Sequence, residues 1–393
     1  MKILCVIQRF YPAIGGAENL MKQYLDYLSL NHDVTVYTSN AEYLSDFWNA
    51  TTKNNIIDTN KNYKIHRFKI LIPSDISPNE FTFPFAISSF GPFCPKMWES
   101  LLNMDEKFDL IIASSFPYDH IIPAFLASQK FNIPFIILPH IHLQFPHLHF
   151  TATKLAILEN SNLIIVNTKE EKNHLLKNKI LDEKIFVNPP SILTTFDESK
   201  LFDIRKKLKI DPQSKIILFA GTKFVDKGAM CLVDAIEQLR AKNSLLDLIL
   251  IGPKSKEFSN FLKQKSEITR QHVHDLGIVD DDEKTSIFHS CDIFAMPSRS
   301  ESFGLVYLEA WLHKKPVIGC NIDAVKNLID HNKNGLLVKF GDINELSLAV
   351  NTLLDSDMAK KLGFEGYKKL LEQYDSKKLC KVFENICMSI IKY

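Results

Sequence analysis

Cysteine is scarce in this chain. Its 393 residues hold seven cysteines, an odd number, and no two stand as Cys-x-x-Cys. That pattern argues against a disulfide framework and against a structural zinc site. Most of the seven lie among apolar neighbours and read as small core residues. Net charge is nearly absent, +1 at neutral pH. There is no global pull toward nucleic acid or an anionic surface, so any anion binding has to be local. No apolar run approaches the roughly 20 residues of a membrane helix. The opening Met1-Lys-Ile-Leu-Cys-Val-Ile7 is too short for a signal-peptide core before Gln8 and Arg9 end it. The expectation is a reduced, cytoplasmic protein. Internal repeats, low-complexity tails, the Gly-x-Gly-x-x-Gly dinucleotide fingerprint and any Ser-His-Asp pattern are all missing.

What is present is an ordinary globular composition, 46% apolar and 24% charged, in a chain long enough for two cores. Short apolar runs alternate with helical patterns. Strands are predicted at residues 3–7, 34–38, 110–113, 134–138 and 163–167, and again at 216–220, 248–251, 273–276, 293–296, 316–318 and 335–338. Amphipathic stretches at 17–30, 227–242 and 344–354 predict helices between them. Near-continuous apolar strands alternating with helices imply parallel sheets covered on both faces. The fold class is therefore α/β, and because the pattern occurs twice, two doubly wound Rossmann-like domains are expected. Asn188-Pro-Pro190 breaks any regular element, which puts one domain at 1–188 and the other at 189–375. The last helix, predicted over 376–391, places Leu379, Val382, Phe383, Ile386 and Ile390 on one apolar face. Between residues 53 and 97 the pattern is irregular. The aromatic and proline-rich stretch from Phe81 to Phe93 reads either as a packed loop or as an apolar contact surface for an acceptor or a membrane.

Several residues stand out chemically. In Glu301-Ser-Phe-Gly-Leu-Val-Tyr-Leu-Glu309, the residues Phe303, Gly304 and Leu305 sit where a helix begins, and their amides are open to an anion. Glu309 falls on the stripe of Leu305, Leu308 and Leu312, where a carboxylate is costly without a hydrogen-bond partner. A ligand hydroxyl is one such partner. Glu301 precedes the same helix end, where it repels phosphate and suits a neutral hydroxyl-rich group. Gly15 and Gly16 follow the first strand and admit either a simple tight turn or the close approach of a phosphate or sugar. Lys227 lies in the loop after the strand at 216–220, placed to neutralise a diphosphate or simply to be solvated. His140 stands just past a strand end, where an imidazole hydrogen-bonds a sugar hydroxyl, assists proton transfer, or is an ordinary loop residue. His142, His147 and His149 follow without a local carboxylate, so a metal site is not expected. Asp292, entering a strand, is expected to cap or hold a loop.

Together these residues resemble the retaining glycosyltransferases of family 4, a group 1 family with the GT-B fold of two Rossmann-like domains facing a central cleft. The resemblance rests first on the Glu-x7-Glu pair Glu301 and Glu309. It extends through Phe10-Tyr-Pro-Ala-Ile-Gly-Gly-Ala-Glu18, His32-Asp-Val-Thr-Val-Tyr-Thr38, Leu163-Ile-Ile-Val-Asn-Thr-Lys-Glu-Glu171, Lys227-Gly228, Leu276-Gly-Ile-Val279, Met296-Pro-Ser298, Asn334-Gly-Leu-Leu-Val338 and Gly341-Asp342. It implies a nucleotide-sugar donor held mainly by the second domain. Glu309 would take the ribose hydroxyls and Glu301 the transferred sugar. The Phe303, Gly304 and Leu305 amides and Lys227 would take the diphosphate, with Gly15 and Gly16 completing that side. His140 would touch the sugar, and the base would rest near Leu276 and Val279. The helix at 376–393 would return to the first domain.

The resemblance also implies front-face attack by a hydroxyl acceptor on a glycan, lipid-linked glycan or lipopolysaccharide, with no cofactor and no metal, domain closure that excludes water, and peripheral membrane contact. Two departures stand out. Thr222 stands where the family has an arginine directly after the glycine at Gly221, with Lys223 next and expected to supply the missing charge, and Asp323-Ala-Val-Lys-Asn327 replaces a Gly-Gly-x-Pro-Glu loop. They motivate the alternative of a catalytically weak or inactive nucleotide-sugar-binding subunit. A further alternative is an epimerase or hydrolase with the same architecture, which would need additional acid/base carboxylates in the cleft.

Overall fold

A computed structural model describes residues 1–13, 15–47, 62–71, 91–141, 150–242, 245–301 and 303–391. His142, His147 and His149, and residues 81–90 of the aromatic stretch, lie outside them. The chain divides into two units, one of Met1–Pro190 with Lys377–Tyr393 and the other of Ser191–Ser376.

The first unit is built on seven strands: β1 (Lys2–Ile7), β2 (Asp33–Ser39), β3 (Lys64–Phe68), β4 (Leu110–Ser114), β5 (Phe135–Leu138), β6 (Leu163–Val166) and β7 (Ile185–Val187). They pair in the order β3-β2-β1-β4-β5-β6-β7, every pair parallel. The second unit holds β8 (Lys215–Ala220), β9 (Leu246–Ile251), β10 (Val273–Gly277), β11 (Ile293–Met296), β12 (Val317–Cys320) and β13 (Leu336–Val338). Their order is β10-β9-β8-β11-β12-β13, again all parallel.

The physical cause is visible in β1. Leu4 and Val6 enter one apolar core, while Ile3, Cys5 and Ile7 enter another. Both faces of the strand are covered, so both alternating sets have to be apolar. In each sheet the order reverses direction at one place, between β1 and β4 and between β8 and β11. Loops leaving the carboxyl ends of those strands diverge there and leave room for a ligand.

One expectation needs correction. The sequence pattern over residues 53–97 is irregular, yet β3 lies inside that stretch and the helix Pro95–Leu102 starts at its end. β3 is an edge strand with Lys64 and His66 exposed, so it carries no continuous apolar run. β7, the opposite edge, also escaped prediction, because only three residues pair before Asn188-Pro-Pro190.

Asp292 ties elements together in the second unit. It accepts the Ile216 amide at 2.9 Å and pairs with Arg205 and Lys215, each at 3.0 Å.

Candidate functional site

In the second unit the key residues gather at the carboxyl ends of the strands. β8 ends at Ala220, and its loop carries Thr222, Lys223 and Lys227 before the helix Ala229–Arg240. β11 ends at Met296, and the following segment carries Glu301 and leads into the helix Leu305–Leu312. Because β8 and β11 are neighbours, the two loops meet. Lys227 Nζ donates to Glu301 Oε1 and to the Ser300 carbonyl, each at 2.6 Å. Arg299 and Asp226 close a second pair between the same loops at 2.7 Å. Gly228 allows this approach: it has φ +79°, and a Cβ there would sit 2.4 Å from the Pro297 carbonyl.

The helix Leu305–Leu312 begins at Gly304, which adopts φ +94° and provides no side-chain cap. The Tyr307 amide turns back to the Gly304 carbonyl at 3.0 Å. Phe303 is buried against Tyr374, with ring centroids 5.6 Å apart. Val279 is half-buried against the core, just beyond β10, with Ile278 exposed beside it.

Glu309 departs from expectation. It has a protein partner, since Lys284 from the helix Asp281–Ser290 donates to Oε1 at 2.7 Å. The other oxygen, Oε2, is buried without a hydrogen bond. Lys284 is 25 residues away in sequence, too far for local periodicity to reveal. Lys223 also has to be corrected. It is fully buried, bonded to the Gly252 carbonyl and paired with Asp275 at 3.0 Å. Burial pushes its ammonium below the usual lysine range, against the hydrogen bond and charge of Asp275. Its charge is spent within the fold and is not presented to a diphosphate. Asp323 opens the short helix Asp323–Lys326 and pairs with Lys326 at 3.6 Å.

The first unit assembles a separate cluster. His140 follows β5, Ser114 ends β4, and Asn167 follows β6, so three adjacent strand ends bring them together. His140 has φ +49°, uncommon for a residue with a Cβ. Its Nε2 lies 3.1 Å from Ser114 Oγ and its Nδ1 3.1 Å from Asn167 Nδ2. The buried Glu171 accepts the Asn167 amide at 3.2 Å. Burial pushes its carboxyl up to about 8, against hydrogen bonds from Asn167 and Ile141. His120, also buried, contacts the Ser114 carbonyl at 2.7 Å, and burial lowers it to about 4.

Gly15 precedes the helix Gly16–Leu28, and a Cβ on it would lie 2.1 Å from Glu18 Oε2. Glu18 is held there by Arg9, whose Nε donates at 2.6 Å in a buried ion pair. Above Gly16 nothing stands within 4 Å of a Cβ. Sequence reasoning passed over Arg9, Ser114, Asn167, Glu171 and Lys284 as site residues. One of them carried a legible signal, because Thr168-Lys-Glu-Glu171 is a capping-box spacing.

Two family descriptions match the chain, Glycosyltransferase Family 4 over residues 14–196 and Glycosyl transferases group 1 over residues 202–369. The D-inositol 3-phosphate glycosyltransferase of Jonesia denitrificans is 31% identical over 195 residues, which is 46% of each chain. Its counterpart in Pseudarthrobacter chlorophenolicus is 34% identical over 189 residues, 46% of this chain and 45% of the relative. The chain thus spans about half the length of the curated relatives it matches. Among solved structures, Anabaena HepE in complex with UDP and glucose superposes with a TM-score of 0.74 at 21% identity, over 99% of this chain and all of that one. Sucrose-phosphate synthase of Thermosynechococcus elongatus gives 0.77 at 19% identity over the whole of both chains. At those identities the likeness is one of fold. Among the described residues no helix is long and apolar enough to cross a membrane.

Proposed function

The chain belongs to the family 4 glycosyltransferases of GT-B fold, and from that premise we propose that it moves a sugar from a nucleoside-diphosphate sugar to a hydroxyl acceptor, with retention of configuration and without a metal. The observation that carries this reading is the meeting of Lys227 and Glu301 at 2.6 Å, on loops from the carboxyl ends of neighbouring strands. An ammonium there supplies the counter-charge that a departing diphosphate needs. The uncapped start of the helix Leu305–Leu312 adds a positive helix end. With no donor bound, Glu301 keeps the ammonium in place. With donor bound, the diphosphate takes the ammonium and Glu301 turns to hydroxyls of the sugar. Glu309 receives a ribose hydroxyl, which satisfies the oxygen that Lys284 leaves unpartnered. The base rests along Leu276, Ile278 and Val279.

The reaction breaks the bond from the anomeric carbon to the diphosphate and forms the bond to the acceptor oxygen on the same face. The acceptor proton passes to the leaving phosphate oxygen, through a transition state of oxocarbenium character. No protein nucleophile takes part. The acceptor is a glycan, a lipid-linked glycan or a lipopolysaccharide, and His140 touches the sugar. The protein acts in the cytoplasm, in peripheral contact with the membrane face.

A panel of nucleotide sugars and hydroxyl acceptors, with and without chelator, tests this reading. The expected result is release of nucleoside diphosphate that depends on acceptor and survives chelation, with the product anomer matching the donor by NMR. Hydrolysed or epimerised sugar without acceptor would replace transfer with hydrolysis or epimerisation. One observation favours a binding subunit as the second reading. Lys223 is locked to Asp275 and Thr222 brings no charge, which leaves the loop short of a cation. Donor binding without turnover would select that reading.

A further inference from the structure

Resting on the reading in which His140 meets the sugar, we infer that Asn167 is the positioning residue that fixes the His140 imidazole as its Nε2–H tautomer, making it a hydrogen-bond donor rather than a proton acceptor. Asn167 Nδ2 lies 3.1 Å from His140 Nδ1. An amide nitrogen only donates, so Nδ1 accepts and the ring proton stands on Nε2. Nε2–H then donates to Ser114 Oγ at 3.1 Å.

The backbone that carries the Asn167 amide is itself held. The buried Glu171 accepts the Asn167 backbone N–H at 3.2 Å. It thereby braces the residue that touches the imidazole. Its own place is set by the start of the helix Lys169–Lys177, where Thr168 Oγ1 accepts the Glu171 amide at 3.1 Å. A capping arrangement at one strand end thus sets the proton on a ring at the next.

The consequence is chemical. With Nδ1 occupied and Nε2 protonated, His140 offers a sugar oxygen a donor, and Ser114 Oγ holds that donor's place until the sugar arrives. The acceptor's proton leaves by another route, as same-face attack requires.

Nitrogen-15 NMR of the full-length protein with ring-labelled histidine tests the assignment, above the imidazole titration and without any substrate. His140 is identified by the signal pair lost in His140→Gln. The expected wild-type pattern is a pyrrole-type Nε2 and a pyridine-type Nδ1. Asn167→Asp, which puts an acceptor against Nδ1, should invert the pattern and raise the titration of His140 by about one unit or more. Asn167→Leu should give a mixture. A pyrrole-type Nδ1 in the wild type overturns the inference, whether or not any variant folds. So does an unchanged pattern in Asn167→Asp that melts like the wild type. If the expected pattern appears in a protein without transferase activity, the functional reading fails and the tautomer assignment stands.

Discussion

Lys227 holds Glu301 in the free protein and, on the reading above, holds a diphosphate during turnover. Substitution separates the two duties. Lys227→Ala leaves a largely buried carboxylate without its ammonium, which should cost about 1–3 kcal/mol of stability. Loss of the counter-charge should lower kcat by about 100-fold or more. The double variant Lys227→Ala with Glu301→Gln also removes the carboxylate charge that Lys227 balanced, so it should recover most of the melting temperature and none of the turnover. Melts and kcat measured side by side decide the matter, and recovered turnover in the double variant would reduce the lysine to a structural role. Asp247 shows a charge used for folding alone. It is buried on β9 and accepts from Ser214 at 2.5 Å, His274 at 2.9 Å and His272 at 3.2 Å. Burial alone would push its carboxyl up, but these hydrogen bonds more than offset that and bring it down to about 2. The folded value lies below the unfolded one, so the stabilisation is fully present above about pH 4. It should disappear as pH falls to about 2, a loss of about 2 kcal/mol. Denaturant midpoints across that window should show the slope in the wild type and a flatter one in Asp247→Asn.

At the scale of elements, the turn from β1 into the helix Gly16–Leu28 tests what two adjacent glycines are for. Gly15→Ala would drive a methyl into the buried Arg9–Glu18 pair, and melting should drop by several degrees. Gly16→Ala meets open space, so melting should hardly move. Any rise in KM for donor or acceptor in Gly16→Ala would then report a ligand passing over that backbone, and unchanged KM would leave Gly16 without a functional part. The contrast also shows what the sequence could convey. The glycine pair was visible, but the reason for the first is a protein ion pair formed across nine residues, which no local pattern displays. Strands covered on both faces were legible because each needs apolar residues at every position. β3 and β7 were hidden because an edge strand is released from that demand. Glu301, Glu309 and Lys227 stood out as charges in apolar or loop settings. The pairing of Lys227 with Glu301 and the Ser114, His140 and Asn167 grouping arise from which strand ends lie side by side, and that order is a property of the sheet; Lys284 reaches Glu309 from a neighbouring helix. Lys223 misled for the same reason, because its partner Asp275 sits on a different strand.

At the scale of the whole molecule, the chain leaves its first unit at Pro190, builds the second, and returns with Lys377–Tyr393. The first core is therefore finished by residues that follow the whole second unit in sequence. Phe383 stacks on Tyr24 with ring centroids 4.0 Å apart and planes 6° from parallel. The Tyr24 hydroxyl accepts from Asn188 at 2.8 Å, and Glu384 bonds His32 at 3.0 Å. Cys380 and Cys387 are buried in the same core. Lys227, Glu301 and Glu309, by contrast, all belong to the second unit, whose core draws on none of these residues. Phe383→Ala should cost the first unit about 3–5 kcal/mol, the usual penalty for emptying a buried aromatic site, and leave the second unit's intrinsic stability alone. Differential scanning calorimetry should show one transition moved down and one unmoved. Nucleoside diphosphate, bound on the proposed reading by the second unit, should raise the unmoved transition in wild type and variant alike, by an amount set by its concentration relative to Kd. If both transitions fall together in Phe383→Ala, the two cores melt as one cooperative body and the returning helix stabilises the whole chain.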